Sequence, residues 1–132
     1  MSHYSLGDQA YSIEREQIEK INLLSCYWEA FYEGVDPGGM TPVVNWILDQ
    51  CIDDYLAAME ENCDKSLSLS PNRNWKVVSI LLTPDNRTKV SAIAKHYNLN
   101  LSCTIREILR NELPIYIQGM YDHAKATRQR EG

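Results

Sequence analysis

The feature that most constrains this chain is one short apolar run, Val77 to Leu82. Its alternation and its β-branched residues predict an extended strand. A lone strand leaves its backbone N–H and C=O groups unpaired, so it does not persist by itself. We find no second strand-forming run nearby and no evident internal repeat. The strand therefore needs a partner, and the sequence next to it does not offer one.

Two helices are predicted before this strand. Residues 1–11 show no clear period and are expected to form a loose arm. Ser12 is expected to cap a first helix that runs to about Glu33. After a turn rich in Gly and Pro, Thr41 is expected to cap a second helix that ends near Asn62. Two helices of similar length joined by a short turn predict an antiparallel hairpin.

The predicted hairpin carries a broad aromatic stripe. Two helices cannot bury a stripe of that width between them, so we expect it to pack on the second half of the chain, on another copy or on a partner. Its members are Tyr27, Trp28, Phe31, Tyr32, Trp46 and Tyr55.

Two more helices are predicted after the strand. Thr83 and Pro84 are expected to open the first of them, and Asn98 is expected to end it as a left-handed cap. Asn100 is expected to cap the second helix, which Pro114 should end or kink. The remaining residues are expected to form one more short helix before a basic end.

Composition divides the chain at residues 63–74, where Ser, Asn, Asp and Pro predict a linker. The predicted units are an acidic hairpin with its arm at 1–62 and a second unit at 75–132. Residues 1–73 carry four Lys and Arg against thirteen Asp and Glu, whereas residues 74–132 carry nine against five. The second half could therefore approach a polyanion, and the first half would avoid it.

The order of strand, Thr83-Pro84-Asp85, amphipathic helix, Asn-containing break and capped helix, about Trp75 to Leu113, resembles the ribbon-helix-helix family of DNA-binding repressors. The resemblance implies a mainly helical fold in which two chains each donate one strand to an antiparallel ribbon. It thus supplies the missing partner strand from a second copy and implies an obligate homodimer or a higher even oligomer. The expected dimer core consists of Val78, Ile80, Leu82, Ile105 and Leu109.

The same resemblance implies where DNA would lie. Strand alternation points Val77, Ser79 and Leu81 outward, where the family reads base edges in the major groove. Phosphate contacts are expected at the start of the second helix and at basic flanking residues, namely Asn100, Leu101, Ser102, Arg73 and Lys76. Of the outward residues only Ser79 can hydrogen-bond a base, whereas the family usually places polar or basic readers there.

Two functions therefore stay open, with a weaker third. The first is a sequence-specific transcriptional repressor acting as a homodimer on double-stranded DNA. The second is a protein-binding module, such as an antitoxin or a phage-type inhibitor, with the same fold and no base readout. The third is an acidic DNA mimic.

Other classes of function find little support in the sequence. The three His residues are far apart, and no catalytic constellation, phosphate loop or metal-ligand spacing is present. We expect no enzyme activity, no cofactor and no metal. Four Cys without paired spacing predict reduced thiols, and the absence of a signal or a membrane-length apolar run predicts a cytoplasmic protein.

Overall fold

The computed structural model describes residues 10–31, 39–61 and 72–131, and it confirms a mainly helical chain with a small antiparallel sheet. A strand followed by two helices occurs twice in this part of the chain. The elements are β1 (Ala10–Glu14), α1 (Arg15–Phe31), α2 (Met40–Glu60), β2 (Trp75–Ser79), α3 (Pro84–Tyr97) and α4 (Leu101–Glu131).

The strand β2 finds its partner in the same chain. It pairs antiparallel with β1, so that Ala10 lies opposite Ser79 and Ser12 lies opposite Val77. The partner strand is far from β2 in sequence, in a segment where we expected an arm and the start of a helix, and a second copy is not needed for the pairing that the structure describes. We name this β1–β2 pair the ribbon.

The segment that we expected to be an arm and a helix start is β1. Tyr11 and Ile13 are buried at 3% and 0% exposure, whereas Ala10 is exposed and Ser12 is half-buried. This alternation places two large side chains in the core, which a loose arm would leave in water. Ser12 is therefore not a helix cap. The helix begins at Arg15, and the Gln17 side chain accepts from the Glu14 N–H at 3.3 Å, as in a capping box.

Most of the other predicted helix ends are confirmed. Thr83 caps α3 by accepting from the Asn86 N–H at 3.2 Å, and Asn98 ends α3 in the left-handed conformation with φ of 56°. Asn100 caps α4 by accepting from the Cys103 N–H at 2.7 Å. Thr41, in contrast, lies inside α2, because that helix begins at Met40.

Pro114 neither ends α4 nor separates it from another helix. The helix continues as one element from Leu101 to Glu131. An interior proline costs about 3 kcal/mol because a backbone hydrogen bond is lost. Leu113 and Met120, which are 1% and 7% exposed, bury apolar area on both sides of the proline and offset that cost.

One hydrophobic core joins the two segments that the sequence analysis separated. α1 packs on α4, and α2 packs on α3. The core contains residues from both sides of the predicted linker, such as Ile13, Leu48, Ile80 and Leu109. Most of that linker, 63–71, lies outside the described residues. The boundary is thus a boundary in the sequence and does not divide the core.

The two strand-helix-helix segments correspond position by position, which the sequence analysis did not detect. We align the first residues of the helices, Arg15 with Pro84 and Met40 with Leu101. The aligned pairs then share their environment, because each of the following pairs is buried on both sides: Tyr11 with Ile80, Ile13 with Leu82, Ile21 with Val90, Leu24 with Ile93, Val44 with Ile105, Ile47 with Ile108, Leu48 with Leu109, and Ile52 with Leu113.

Polar contacts follow the same correspondence. The Ser102 hydroxyl accepts from the Ser12 N–H at 3.0 Å, and the Thr41 hydroxyl accepts from the Leu81 N–H at 3.2 Å. One helical turn later, Arg106 donates to the Ser12 carbonyl at 2.7 Å.

In the aligned position of the other segment, Asn45 donates to the Leu81 carbonyl at 2.9 Å. The exposed ion pairs Glu16–Lys20 and Asp85–Lys89 are aligned as well. Because the contacts of one segment reappear with the segments exchanged, the two halves are related by an approximate twofold axis beside the Ala10–Ser79 pair.

The strand phase predicts how two substitutions differ. Ile80→Asp places an unpaired charge in the core, where the native side chain is 0% exposed, and should remove most of the stability of the fold. Val77→Asp, at 66% exposure, is the matched control and should change the free energy of unfolding by less than about 1 kcal/mol. Urea unfolding followed by circular dichroism compares them. The reverse ranking would mean that the strand faces are exchanged.

Candidate nucleic-acid interface

The three residues that were expected to face DNA bases are exposed, Val77 and Ser79 on β2 and Leu81 just beyond its end, because the strand stops at Ser79 and does not reach Leu82 as expected. Val77 is 66% exposed, Leu81 is 50% exposed, and Ser79 is exposed. On the opposite face, Ile80 and Leu82 are buried, and Val78 is half-buried against the core. The predicted strand phase is therefore confirmed.

The ribbon adds two outward residues that sequence reasoning missed. Ala10 and Ser12 share the outward face because they lie directly opposite Ser79 and Val77. The signal for them was the alternation in residues 10–14, which we interpreted as the start of a helix. The exposed part of the outward face thus consists of small and aliphatic side chains with hydroxyls at Ser12 and Ser79, and the face ends at the opposed pair of Glu14, which is buried, and Trp75, which is half-buried.

The outer edge of β1 is held by the first two turns of α4. Both backbone groups of Ser12 point to α4, where its N–H meets Ser102 and its carbonyl meets Arg106. Ser12 and Val77 therefore form a non-hydrogen-bonded pair of the ladder. Arg106 is only 5% exposed, and its guanidinium lies 3.7 Å from the centroid of the Trp75 ring. This cation–π stack fixes the start of β2 on α4.

A second arginine of α4 is neutralised by carboxylates. Arg110 forms ion pairs with Glu14 and Glu107, both of which are nearly fully buried. Burial alone would lower the pKa of Arg110, but the hydrogen bonds to Glu107 and Glu14 outweigh it and raise the pKa. The guanidinium is thus held as a structural cation.

A groove of about 310 Å³ lies between α4 and the residues that lead into β2. Its walls include three arginines, Arg73, Arg106 and Arg110, together with Trp75 and Asn100. The Arg73 guanidinium lies 5.3 Å from the Trp75 ring centroid. Glu107 also lines the groove and pairs with Arg110, so the positive charge that remains comes from Arg73 and Arg106. This charge lies beside the start of a helix, which is an environment that anions favour in proteins.

The residues expected to contact phosphate are placed differently. Arg73 and Asn100 line the groove, and Lys76 is exposed on β2. Leu101 is half-buried beside the core, and the Ser102 hydroxyl is used by the Ser12 N–H. Ile105 and Leu109, which were expected in the core of a dimer, are buried at 0% exposure in the core of this chain.

The aromatic stripe is divided between the core and a second groove. Tyr55 is buried, and burial raises its pKa to about 12. Trp46 is 40% exposed and packs edge-on against Tyr116 of α4, with 5.1 Å between ring centroids. These two rings line a groove of about 290 Å³ with Tyr27 and His123. The stripe thus packs on the second half, one of the expected alternatives. The side chains of Trp28, Phe31 and Tyr32 lie outside the described residues.

Among residues 10–31, 39–61 and 72–131, no three His, Cys, Asp or Glu side chains come together as metal ligands. Cys26, Cys51 and Cys103, the cysteines described there, are not in disulfides, and of these three only Cys51 is buried. None of the helices in those ranges has the length and apolar character needed to cross a bilayer.

No family model, curated protein or solved structure matches the chain.

The contacts of Arg106 predict a large effect of its removal. Arg106→Ala leaves the Ser12 carbonyl without its donor and uncovers Trp75, and should lower the free energy of unfolding by about 2–4 kcal/mol. Lys125→Ala, at an exposed position near the end of α4, is the control and should change it by less than about 0.5 kcal/mol. Chemical denaturation measures both. Equal stability of the two variants would show that α4 does not hold β1.

Proposed function

We propose that this chain is a DNA-binding transcriptional regulator, a repressor, that inserts the ribbon into the major groove. The observation that carries the proposal is the ribbon itself: two paired strands with an exposed outer face, backed by four helices. A two-stranded ribbon of this kind fits the major groove of B-DNA. In the ribbon-helix-helix family two chains build that unit, and we infer that here the two aligned segments of one chain take their places.

The predicted homodimer would have a different role from the one that the ribbon-helix-helix resemblance implies. Because β1 supplies the second strand, one chain contains the complete described ribbon. A homodimer, if the protein forms one, would join complete units at another surface, for example on neighbouring DNA sites. Dimerisation would thus act on DNA and would not be required for folding.

The chemistry of the outward face limits how bases would be recognised. Ser79 and Ser12 can exchange hydrogen bonds with base edges, while Val77 and Leu81 can contact thymine methyl groups. None of these side chains forms the bidentate pairs that discriminate bases by about 1–3 kcal/mol each. Specificity would therefore depend on methyl contacts and on DNA shape, and affinity would depend on phosphate contacts near the basic groove.

A protein-binding module is the second candidate, and one observation favours it. Val77 on β2 and Leu81 just after it are large apolar side chains at 66% and 50% exposure. Exposed apolar patches often mark protein interfaces. On this account the ribbon would be covered by protein, as in an antitoxin or a phage-type inhibitor.

A salt series on duplex DNA separates the two functions. The DNA-binding function predicts that the association constant for a random duplex pool falls steeply with salt, with about 0.9 in log–log slope for each phosphate contacted. Val77→Asp should abolish binding, because it places a charge against the groove floor. Ser79→Ala should relax sequence preference and leave the slope unchanged, because it removes no charge.

Filter binding or fluorescence anisotropy measures the association constant at salt concentrations from about 50 to 200 mM, where phosphate contacts dominate the salt dependence. Binding that does not change with salt, or no binding at all, would contradict the DNA-binding function. In the latter case the protein-binding function would be the remaining account of the exposed ribbon.

A further inference from the structure

The two ends of the ribbon are built alike but charged differently. Each outer edge is held by the start of a helix, β1 by α4 through Ser12 and the segment after β2 by α2 through Leu81. Both ends therefore offer a helix N-terminus, and that feature does not distinguish them. Their side chains do.

Two positions of α4 hold arginines where the aligned positions of α2 hold a neutral and an acidic residue. Arg106 aligns with Asn45, and Arg110 aligns with Asp49. Arg73, which precedes β2, and Lys76 of β2 align with Tyr4 and Gly7 by the same offset that aligns Pro84 with Arg15. Tyr4 and Gly7 lie outside the described residues, but neither residue type carries a positive charge.

The carboxylates at the α4 end do not cancel its excess of positive charge. Glu14 and Glu107 of the α4 end align with Thr83 and Trp46. The six aligned positions thus hold four cations and two carboxylates at the α4 end, and no cation and one carboxylate, Asp49, at the α2 end. Asp53 of α2, which pairs with Lys89, aligns with the uncharged Pro114 of α4 and adds one more carboxylate to α2.

From this contrast we infer that the chain contacts DNA phosphates at one end of the ribbon only, the end formed by α4, Arg73 and Lys76. The inference rests on the proposed function. Phosphate contacts position a protein on DNA, so losing one of two equivalent sets makes the complex directional. The DNA site recognised by one chain is then asymmetric, with phosphate contacts on one flank and none on the other. A pair of identical chains would contact both flanks alike.

The two ends offer a matched pair of charge substitutions. Lys76→Gln removes one positive charge from an exposed side chain at the α4 end, and Asp49→Asn removes one negative charge at the α2 end. Asp49→Asn keeps an oxygen that can accept from Asn86, which donates to Asp49 Oδ1 at 2.9 Å. Both variants should therefore fold, and thermal unfolding of each verifies this.

The expected effects on DNA binding are unequal. Lys76→Gln should weaken binding to a duplex selected from a random pool and lower the log–log salt slope by about 0.9, one phosphate contact. Asp49→Asn should leave the slope unchanged and alter affinity by less than about twofold, because a charge that touches no phosphate is screened by salt. Slopes that change equally for both variants, or an unchanged slope for Lys76→Gln, would overturn the inference.

Phosphate ethylation interference on the same selected duplex gives the direct result. Ethylation should block binding of the native protein on one flank of the protected site only. Interference arranged symmetrically about the centre would overturn the one-ended contact while leaving DNA binding established. Failure of the native protein to bind any duplex in a salt-dependent way would overturn the proposed function and this inference with it.

Discussion

The structure depends on the pairing of β1 with β2. Residues 10–14 and 75–79 are far apart in sequence, and joining them closes a long loop at an entropic cost. That cost is offset by burial on the inner face, where Tyr11, Ile13 and Ile80 are almost fully enclosed. The pairing also decides where the helices lie, because α1 starts directly from β1 and α4 holds its outer edge.

The approximate twofold relation explains features that would otherwise seem unrelated. Gln17 and Asn86 are buried polar residues at aligned positions, and each donates its side-chain amide to the backbone carbonyl of an aligned residue on the opposite segment, Arg106 and Asn45. Buried amides need such partners, so both segments solve the same problem in the same way. The two segments differ at the surface. The two ends of the ribbon carry different charges, and Trp46 is exposed whereas its aligned residue, Glu107, is buried.

The sequence predicted local features well, because they depend on few residues. The phase of β2 followed from alternation between Val77 and Ile80, and the caps at Thr83, Asn98 and Asn100 followed from backbone chemistry. β1 was missed because Ser12 followed by acidic residues is also typical of a helix start, and five residues are too few to decide the period.

The internal repeat had a signal that we did not use. Ile47, Leu48, Tyr55 and Met59 reappear as identical residues at Ile108, Leu109, Tyr116 and Met120, with the same spacing. Arg106 could not have been found in this way, because its aligned residue is Asn45. Its burial depends on the position of β1, which only the tertiary structure shows.

A disulfide trap tests the ribbon within one chain most directly. Ser12→Cys with Val77→Cys joins a directly opposed, non-hydrogen-bonded pair, whose side chains lie close enough for a disulfide. The four natural cysteines are first replaced, Cys51 by Ala because it is buried. Mild oxidation should give a monomer with an internal disulfide on a non-reducing gel, while Ser12→Cys with Leu81→Cys should give little. A covalent dimer as the main product would contradict a ribbon made by one chain.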